Sequence, residues 1–198
     1  MKTKYIAIIN GGGANFNSVI NALKILKVKT VITDDAKIIS NAEKVILPGV
    51  GSADYAMKLL KQKGLDVVIK NLKQPVLGIC LGAQLLCKSS AEGHVKCLDI
   101  IPLKVEKITN AKIIPHMGWN NLTVVKKHPI LTDIKNTDDF YFVHSYCANF
   151  DDKNVLASCE YGNKFGAIIN RDNFYGFQFH PEKSGKAGLV LLKNFINL

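Results

Sequence analysis

Residues 75–84, PVLGICLGAQ, contain the pattern that decides the fold. The apolar run 75–79 is typical of a buried strand, and a helix is predicted to begin at about residue 82. Gly78 and Gly82 flank Cys80 at the spacing of a tight strand-to-helix turn, in which glycines are expected because the turn crowds its neighbours. Such a turn would place the Cys80 sulfur at a helix N-terminus, where backbone N–H groups favour the thiolate. A buried structural cysteine is the alternative.

The first half of the chain alternates apolar strands with amphipathic segments, and the second half is rich in short β segments separated by turn residues. Strands are predicted in the first half at 5–10, 29–33, 44–47 and 75–79, with helices at 16–27, 53–62 and from about 82. The second half is predicted to hold strands at 101–108, 119–125, 140–146, 154–160, 165–170 and 174–179 and a helix at 186–197. Parallel strands buried on both faces need helices on each side. The sequence therefore predicts a single α/β domain over residues 1–198, with three α/β/α layers, a mostly parallel central sheet and added antiparallel strands.

Composition narrows the class of protein. The 198 residues are 47% hydrophobic and include no apolar stretch long enough for a transmembrane helix. The apolar run near the N-terminus is about five residues, shorter than a signal peptide requires. We therefore expect a cytoplasmic protein without membrane association.

Charge and cysteine usage argue against several other kinds of site. The formal net charge is +10, but Arg171 is the only arginine and the lysines are scattered, which favours a solvated surface over nucleic-acid binding. Docking onto an acidic partner is a weaker alternative. The five cysteines are odd in number and form no CxxC pair, so neither a disulfide framework nor a metal site is expected. Four of them lack the glycine context of Cys80 and are interpreted as packing residues: Cys87, Cys97, Cys147 and Cys159.

A candidate base follows the last predicted strand, in residues 176–184, GFQFHPEKS. His180 and Glu182 are two residues apart, so in an extended segment their side chains point to the same side. A carboxylate so placed would fix the imidazole tautomer and stabilise the protonated ring. His180 could then take a proton from Cys80 and return it to a leaving group. A surface His–Glu pair is the alternative, and the presence of Cys80 favours catalysis.

These motifs resemble those of a known family. Residues 78–84 and 176–184 are similar to the nucleophile and His–Glu motifs of class I (triad) glutamine amidotransferases. Three further segments, LPGVG (47–51), PHMGWN (115–120) and YFVHSY (141–146), look like those of the glutaminase subunits of imidazole glycerol phosphate synthases. The resemblance runs in order from about residue 6 to the C-terminus.

The resemblance implies a Cys80–His180–Glu182 glutaminase that works through a γ-glutamyl thioester, with no metal or organic cofactor. The ammonia would pass through the interior of a (β/α)₈-barrel cyclase subunit, the partner in a heterodimer. The products there would be imidazole glycerol phosphate and the carboxamide ribotide AICAR.

The resemblance also implies roles for residues outside the triad. Backbone N–H groups of Leu81 and of the Pro48–Gly51 strand would hold the oxyanion, and that strand would switch by a peptide flip. The implied oxyanion residues are Gly49, Val50 and Leu81. The implied glutamine-binding residues are Gly51, Gln84, Glu92, His144, Ser145 and Tyr146. The implied partner-facing residues are Asn15, Trp119 and Lys183, for which a helix cap, a core aromatic residue and a solvated lysine are the alternatives.

The segment at residues 9–15 departs from the family pattern, as do Ala83 and residues 97–99. Residues 9–15, INGGGAN, differ from the usual D-Y-G-x-G-N at Asn10, Gly11 and Ala14, in the region implied to contact the partner. A paralogous subunit that feeds ammonia to another acceptor, such as a surface-polysaccharide sugar, is therefore an alternative. A stand-alone cysteine hydrolase is a second. A non-catalytic subunit is a third, although such a chain would be expected to have lost part of the triad.

Overall fold

The computed structural model of the protein describes residues 4–11 and 16–198. The strands in the first half of the chain are β1 (Ile6–Ile9), β2 (Thr30–Thr33), β3 (Lys44–Gly49), β4 (Val76–Cys80), β5 (Cys87–Ser90) and β6 (Val95–Lys96). Those in the second half are β7 (Ile101–Lys107), β8 (His116–Asn121), β9 (Thr123–Val124), β10 (Asp139–His144), β11 (Tyr146–Asn149), β12 (Val155–Tyr161), β13 (Asn163–Arg171) and β14 (Phe174–Phe177). The helices are α1 (Phe16–Ile25), α2 (Ala36–Asn41), α3 (Ala53–Gln62), α4 (Leu65–Lys70), α5 (Leu81–Leu86) and α6 (Gly185–Asn197). Short 3₁₀ turns occur at Glu92–His94, Pro129–Leu131 and Pro181–Lys183.

The central part of the sheet is parallel. Strands β2, β1, β3, β4 and β14 lie side by side in that order, and each neighbouring pair is parallel. Beyond β14 the sheet continues through β13, β11 and β7, with antiparallel pairs between β14, β13, β11 and β7. Strands β8 and β10 form a separate antiparallel pair. The predicted combination of a parallel centre with added antiparallel strands is confirmed.

Helices cover both faces of the sheet, because alternate side chains of the buried strands point in opposite directions. Ile6 and Ile8 of β1 pack into one core cluster, to which α1 and α6 contribute apolar residues. Ala7 and Ile9 pack into a second cluster with α2, α3, α4 and α5. The three-layer α/β/α architecture is therefore confirmed.

The structure corrects several predicted elements. The predicted strand 140–146 is two strands, because the chain leaves the β8–β10 pair at Ser145 and joins β7 and β13 as β11. The predicted strand 119–125 likewise divides into β8 and β9. Helices α2 and α4 and strands β5 and β6 are additional to the predicted elements, and each has six residues or fewer. In the described parts of the chain, no helix has both the length and the apolar character needed to span a membrane.

Candidate active site

The sheet topology brings the two sequence motifs together. Strands β4 and β14 are parallel neighbours, with Ile79 opposite Phe177. Strand β4 ends at Cys80 and β14 ends at Phe177, so the chain after both strands emerges at the same edge of the sheet. Cys80 and His180 therefore meet although a hundred residues separate them.

The turn at Cys80 is tight and strained. Cys80 has φ 52° and ψ −110°, a conformation that residues with side chains rarely adopt, and α5 begins at the next residue. A Cβ atom on Gly82 would lie 1.8 Å from the carbonyl oxygen of Leu47, and one on Gly78 would lie 2.6 Å from the backbone of Gly82. Both flanking positions therefore require glycine because the backbones approach so closely. The strand, turn and helix predicted for residues 75–84 are present, and strain of this kind is typical of a nucleophile elbow.

The Cys80 sulfur is buried among polar groups. It lies 3.8 Å from the carbonyl oxygen of Val143 and 4.0 Å from Nε2 of Gln178. His180 lines the same cavity as Cys80, and the nearby sulfur is one of the groups that raise the pKa of its imidazole. Leu81 is the first residue of α5, where a backbone N–H has no partner within the helix and can bind a ligand.

His180 and Glu182 form a buried pair. Nδ1 of His180 lies 2.8 Å from Oε1 of Glu182, and the two side chains are 9% and 4% exposed. Burial by itself would lower the pKa of His180, but the hydrogen bonds to Cys80 and Glu182 outweigh burial and raise that pKa above its ordinary value. Because a carboxylate only accepts, Nδ1 carries a proton, and Nε2 is the nitrogen left to exchange one with Cys80.

The extended backbone conformation predicted between His180 and Glu182 is wrong. The segment is not extended through Glu182, because Pro181–Lys183 forms a 3₁₀ turn directly after His180. The turn, rather than the alternation of an extended strand, brings the carboxylate back to the imidazole.

A cavity of about 280 Å³ opens beside the sulfur. All six residues predicted to bind glutamine line it, together with two of the three predicted oxyanion residues; Gly49 does not line it. Gly49 instead pairs in register with Cys80 at the end of β3. The residues that line the cavity are Val50, Gly51, Cys80, Leu81, Gln84, Glu92, Val143, His144, Ser145, Tyr146, His180 and Lys183.

Polar groups in the cavity wall are held in place by hydrogen bonds. Oε2 of Glu92 accepts from the backbone N–H of Ala53, the first residue of α3, at 3.0 Å. Nε2 of Gln84 donates to the carbonyl oxygen of Tyr146 at 2.7 Å. Nδ1 of His144 lies 2.9 Å from that same carbonyl oxygen. The wall thus combines a fixed carboxylate with an oriented side-chain amide.

Gln178 belongs to the site, although no sequence motif predicts a role for it. Its Oε1 accepts from Nε2 of Gln84 at 3.2 Å, and its Nε2 points to the Cys80 sulfur. The residue is 2% exposed. A signal was present in the sequence, because Gln178 is the one polar residue between Phe177 and Phe179, directly before His180.

Of the three residues predicted to face a partner, two lie within the described residues, and both are exposed. Trp119 is 57% exposed, so it is not the core aromatic residue of the alternative interpretation. Lys183 is exposed at the rim of the cavity. Asn15 lies outside the described residues.

The four remaining cysteines are buried and free, in keeping with packing roles. Burial raises the pKa of each thiol and keeps it protonated at neutral pH. Within residues 4–11 and 16–198, no group of three or more His, Cys, Asp or Glu side chains is arranged to hold a metal ion.

Cys80, His180 and Glu182 thus lie together at a polar cavity, and comparison with known proteins specifies the family. The chain belongs to the class-I glutamine amidotransferase family, whose model matches residues 7–198. It is an enzyme of that class, as the sequence motifs predicted.

Two curated relatives are named imidazole glycerol phosphate synthase subunit HisH. The protein from Colwellia psychrerythraea is 47% identical over 207 residues, which cover 96% of this chain and 92% of that protein. The protein from Pasteurella multocida is 47% identical over 192 residues, which cover 96% of each. A solved structure of a glutamine amidotransferase matches with a TM-score of 0.75 at 18% identity, covers 97% of both chains and supports the fold alone.

Proposed function

We propose that this chain is the glutaminase subunit of an imidazole glycerol phosphate synthase. It hydrolyses glutamine to glutamate and ammonia and delivers the ammonia to a cyclase subunit. The observation that supports this most strongly is Cys80, held on a strained turn beside the His180–Glu182 pair at the wall of a polar cavity. Relatives that carry the HisH name match nearly the full chain.

The first half-reaction forms a thioester. Nε2 of His180 takes the proton of Cys80, and Glu182 stabilises the resulting imidazolium. The sulfur attacks the side-chain carboxamide carbon of glutamine, and the oxyanion accepts hydrogen bonds from backbone N–H groups of Leu81 and Val50. When the carbon–nitrogen bond breaks, His180 gives its proton to the departing nitrogen, so ammonia leaves and a γ-glutamyl thioester stays on Cys80.

The second half-reaction restores the enzyme. His180 takes a proton from a water molecule, and the hydroxide attacks the thioester carbonyl. The same backbone donors hold the second oxyanion. Cleavage of the carbon–sulfur bond releases glutamate, and the Cys80 sulfur leaves as the thiolate beside imidazolium.

Groups in the cavity wall suit free glutamine. The Glu92 carboxylate has one oxygen bound to the start of α3, and its other oxygen can accept from the α-ammonium group. Backbone N–H groups around Ser145 and Tyr146 can donate to the α-carboxylate. Gly51 has φ 99°, which lets the loop after β3 pass close to the substrate.

Exposed apolar side chains support the presence of a partner next to the cavity. Val50 lines the cavity and is 45% exposed, and Met117 and Trp119 on β8 are 63% and 57% exposed. Exposed apolar residues of this size are typical of an interface. We propose that a (β/α)₈-barrel cyclase subunit covers them in a cytoplasmic heterodimer, in which ammonia reaches the phosphorylated acceptor and the lyase step follows.

Reconstitution with the barrel subunit tests the proposal. Glutamine should support formation of imidazole glycerol phosphate by the pair, and glutaminase activity should rise when the cyclase is added. Cys80→Ala should abolish synthesis from glutamine, while synthesis from added ammonium, which needs only the cyclase, continues. Glutamine hydrolysis without transfer to this acceptor, together with capture of a different barrel protein, would instead indicate the paralogous amidotransferase.

A further inference from the structure

Two histidines outside the triad form a buried pair. His116 of β8 and His144 of β10 are opposite each other in register, and Nδ1 of His116 lies 3.1 Å from Nε2 of His144. The two residues are 2% and 6% exposed. The other ring nitrogen of His144, Nδ1, lies 2.9 Å from the carbonyl oxygen of Tyr146.

The positions of the protons in this pair follow from its contacts. A carbonyl oxygen only accepts, so Nδ1 of His144 carries a proton. Burial lowers the pKa of His144 to about 3 and that of His116 to about 4, so both rings are neutral at pH 7. Nε2 of His144 is therefore an acceptor, and Nδ1 of His116 donates to it.

The chain of hydrogen bonds continues to the nucleophile. The carbonyl oxygen of Tyr146 accepts a second hydrogen bond from Nε2 of Gln84, and that nitrogen also donates to Oε1 of Gln178. Nε2 of Gln178 then points to the Cys80 sulfur at 4.0 Å. Both side-chain N–H groups of Gln84 therefore donate to acceptors within the protein. Its Oε1 is the side-chain polar atom that remains to bind a ligand in the cavity.

His116 is held rigidly at the far end of the chain of hydrogen bonds. Its ring stacks on Tyr161, with centroids 3.9 Å apart and an interplanar angle of 12°, and on Phe142, with values of 4.8 Å and 18°. His116 does not line the glutamine cavity. Any effect on the substrate must therefore pass through His144.

We propose that His116 is a positioning residue for glutamine binding, which fixes the Gln84 amide through His144 and the Tyr146 carbonyl. This inference rests on the proposed function, because it takes glutamine as the ligand of the cavity. With the network intact, Gln84 presents an oxygen that accepts from an N–H group of glutamine. Without the His116 donor, His144 is held less firmly, and so are the Tyr146 carbonyl that it contacts and the Gln84 amide that donates to that carbonyl.

Two variants of nearly equal size test the role of His116. His116→Asn keeps an N–H donor near the position of Nδ1, and His116→Leu removes the donor. Loss of the donor leaves a buried acceptor unpaired, so His116→Leu should raise the KM for glutamine on the order of tenfold. His116→Asn should stay within about threefold of the unchanged protein, and kcat should change little in either variant. Equal KM values in both variants, or an increase in both that follows a common loss of Tm, would overturn the proposal.

A spectroscopic measurement tests the network without relying on turnover. Long-range ¹H–¹⁵N NMR of the unchanged protein, labelled on histidine, should find His116 and His144 both protonated on Nδ1 and bare on Nε2. A proton on Nε2 of His144 would overturn the proposal even if His116→Leu does not fold. A protein with the expected tautomers that fails to hydrolyse glutamine would support the network and contradict the proposed function instead.

Discussion

Replacing Glu182 with glutamine removes one negative charge from the active site and keeps nearly all of its atoms. The carboxylate lies 2.8 Å from Nδ1 of His180, and both side chains are less than a tenth exposed, so solvent screens the pair weakly. The variant therefore isolates the charge of Glu182 from its shape.

The size of the effect follows from this geometry. At 2.8 Å and an effective dielectric constant of about 20, Coulomb's law gives about 6 kcal/mol for the pair before desolvation is subtracted. Opposite charges in such contacts typically change a pKa by about 1 to 3, which corresponds to about 1.4 to 4 kcal/mol. The pKa of His180 should therefore fall by about 1 to 3 in Glu182→Gln.

Turnover should fall for a second reason as well. The glutamine amide can rotate and donate to Nδ1 of His180, which selects the tautomer with the proton on Nε2. A ring in that tautomer cannot accept the proton of Cys80, and the imidazolium formed in catalysis loses its counter-charge. We expect kcat to fall by about 10² to 10⁴.

NMR titration of labelled histidine gives the pKa directly. Glu182→Gln is compared with unchanged Glu182, both in a Cys80→Ala background, so that the sulfur does not titrate with the ring. Glu160→Gln on the exposed surface is the matched control and should leave the pKa of His180 unchanged. A change of less than about 0.3 in Glu182→Gln would refute the reasoning, because it would be below the about 1 to 3 expected for a buried pair.

Two further variants test the turn and the network. Gly82→Ala would place a Cβ atom 1.8 Å from the carbonyl oxygen of Leu47, so we expect a loss of more than about 4 kcal/mol in the free energy of unfolding. Gly11→Ala, which meets only the Cδ2 methyl group of Leu60 at 3.3 Å, should cost less than about 1 kcal/mol; similar urea midpoints for the two variants would count against the close approach. Gln178→Glu places a negative charge beside the Cys80 sulfur, so alkylation by iodoacetamide at pH 7 should slow by about tenfold or more. An unchanged alkylation rate would mean that Gln178 does not act on the sulfur.

The centre of the fold and the core of the site could be predicted from local patterns. The apolar strand before Cys80 and the glycines on either side of it indicate a tight turn. At the two glycine positions, a side chain would collide with the backbone. His180 and Glu182 are two residues apart, so their contact could be predicted from one short segment. The family resemblance then predicted the glutamine-binding residues, including Glu92. That residue is 12 positions after Cys80, and nothing in the local sequence around it indicates a role in binding.

The rest of the site depends on contacts that no local pattern records. Gln84 reaches Tyr146 and Gln178, which are 62 and 94 residues away in sequence. The His116–His144 pair depends on the register of β8 with β10, and β10 ends where the chain changes sheets at Ser145, within one continuous β-rich segment. Register and sheet order determine such contacts, and both depend on packing across the whole fold.

Covalent labelling with an electrophilic glutamine analogue tests the central claim most directly. Treatment with 6-diazo-5-oxo-L-norleucine, followed by peptide mass spectrometry, should find one analogue attached to Cys80 in step with the loss of glutaminase activity. Glutamine should slow the labelling, and the four buried cysteines should stay unmodified. Inactivation without a label on Cys80, or a label on another cysteine, would contradict Cys80 as the nucleophile of this site.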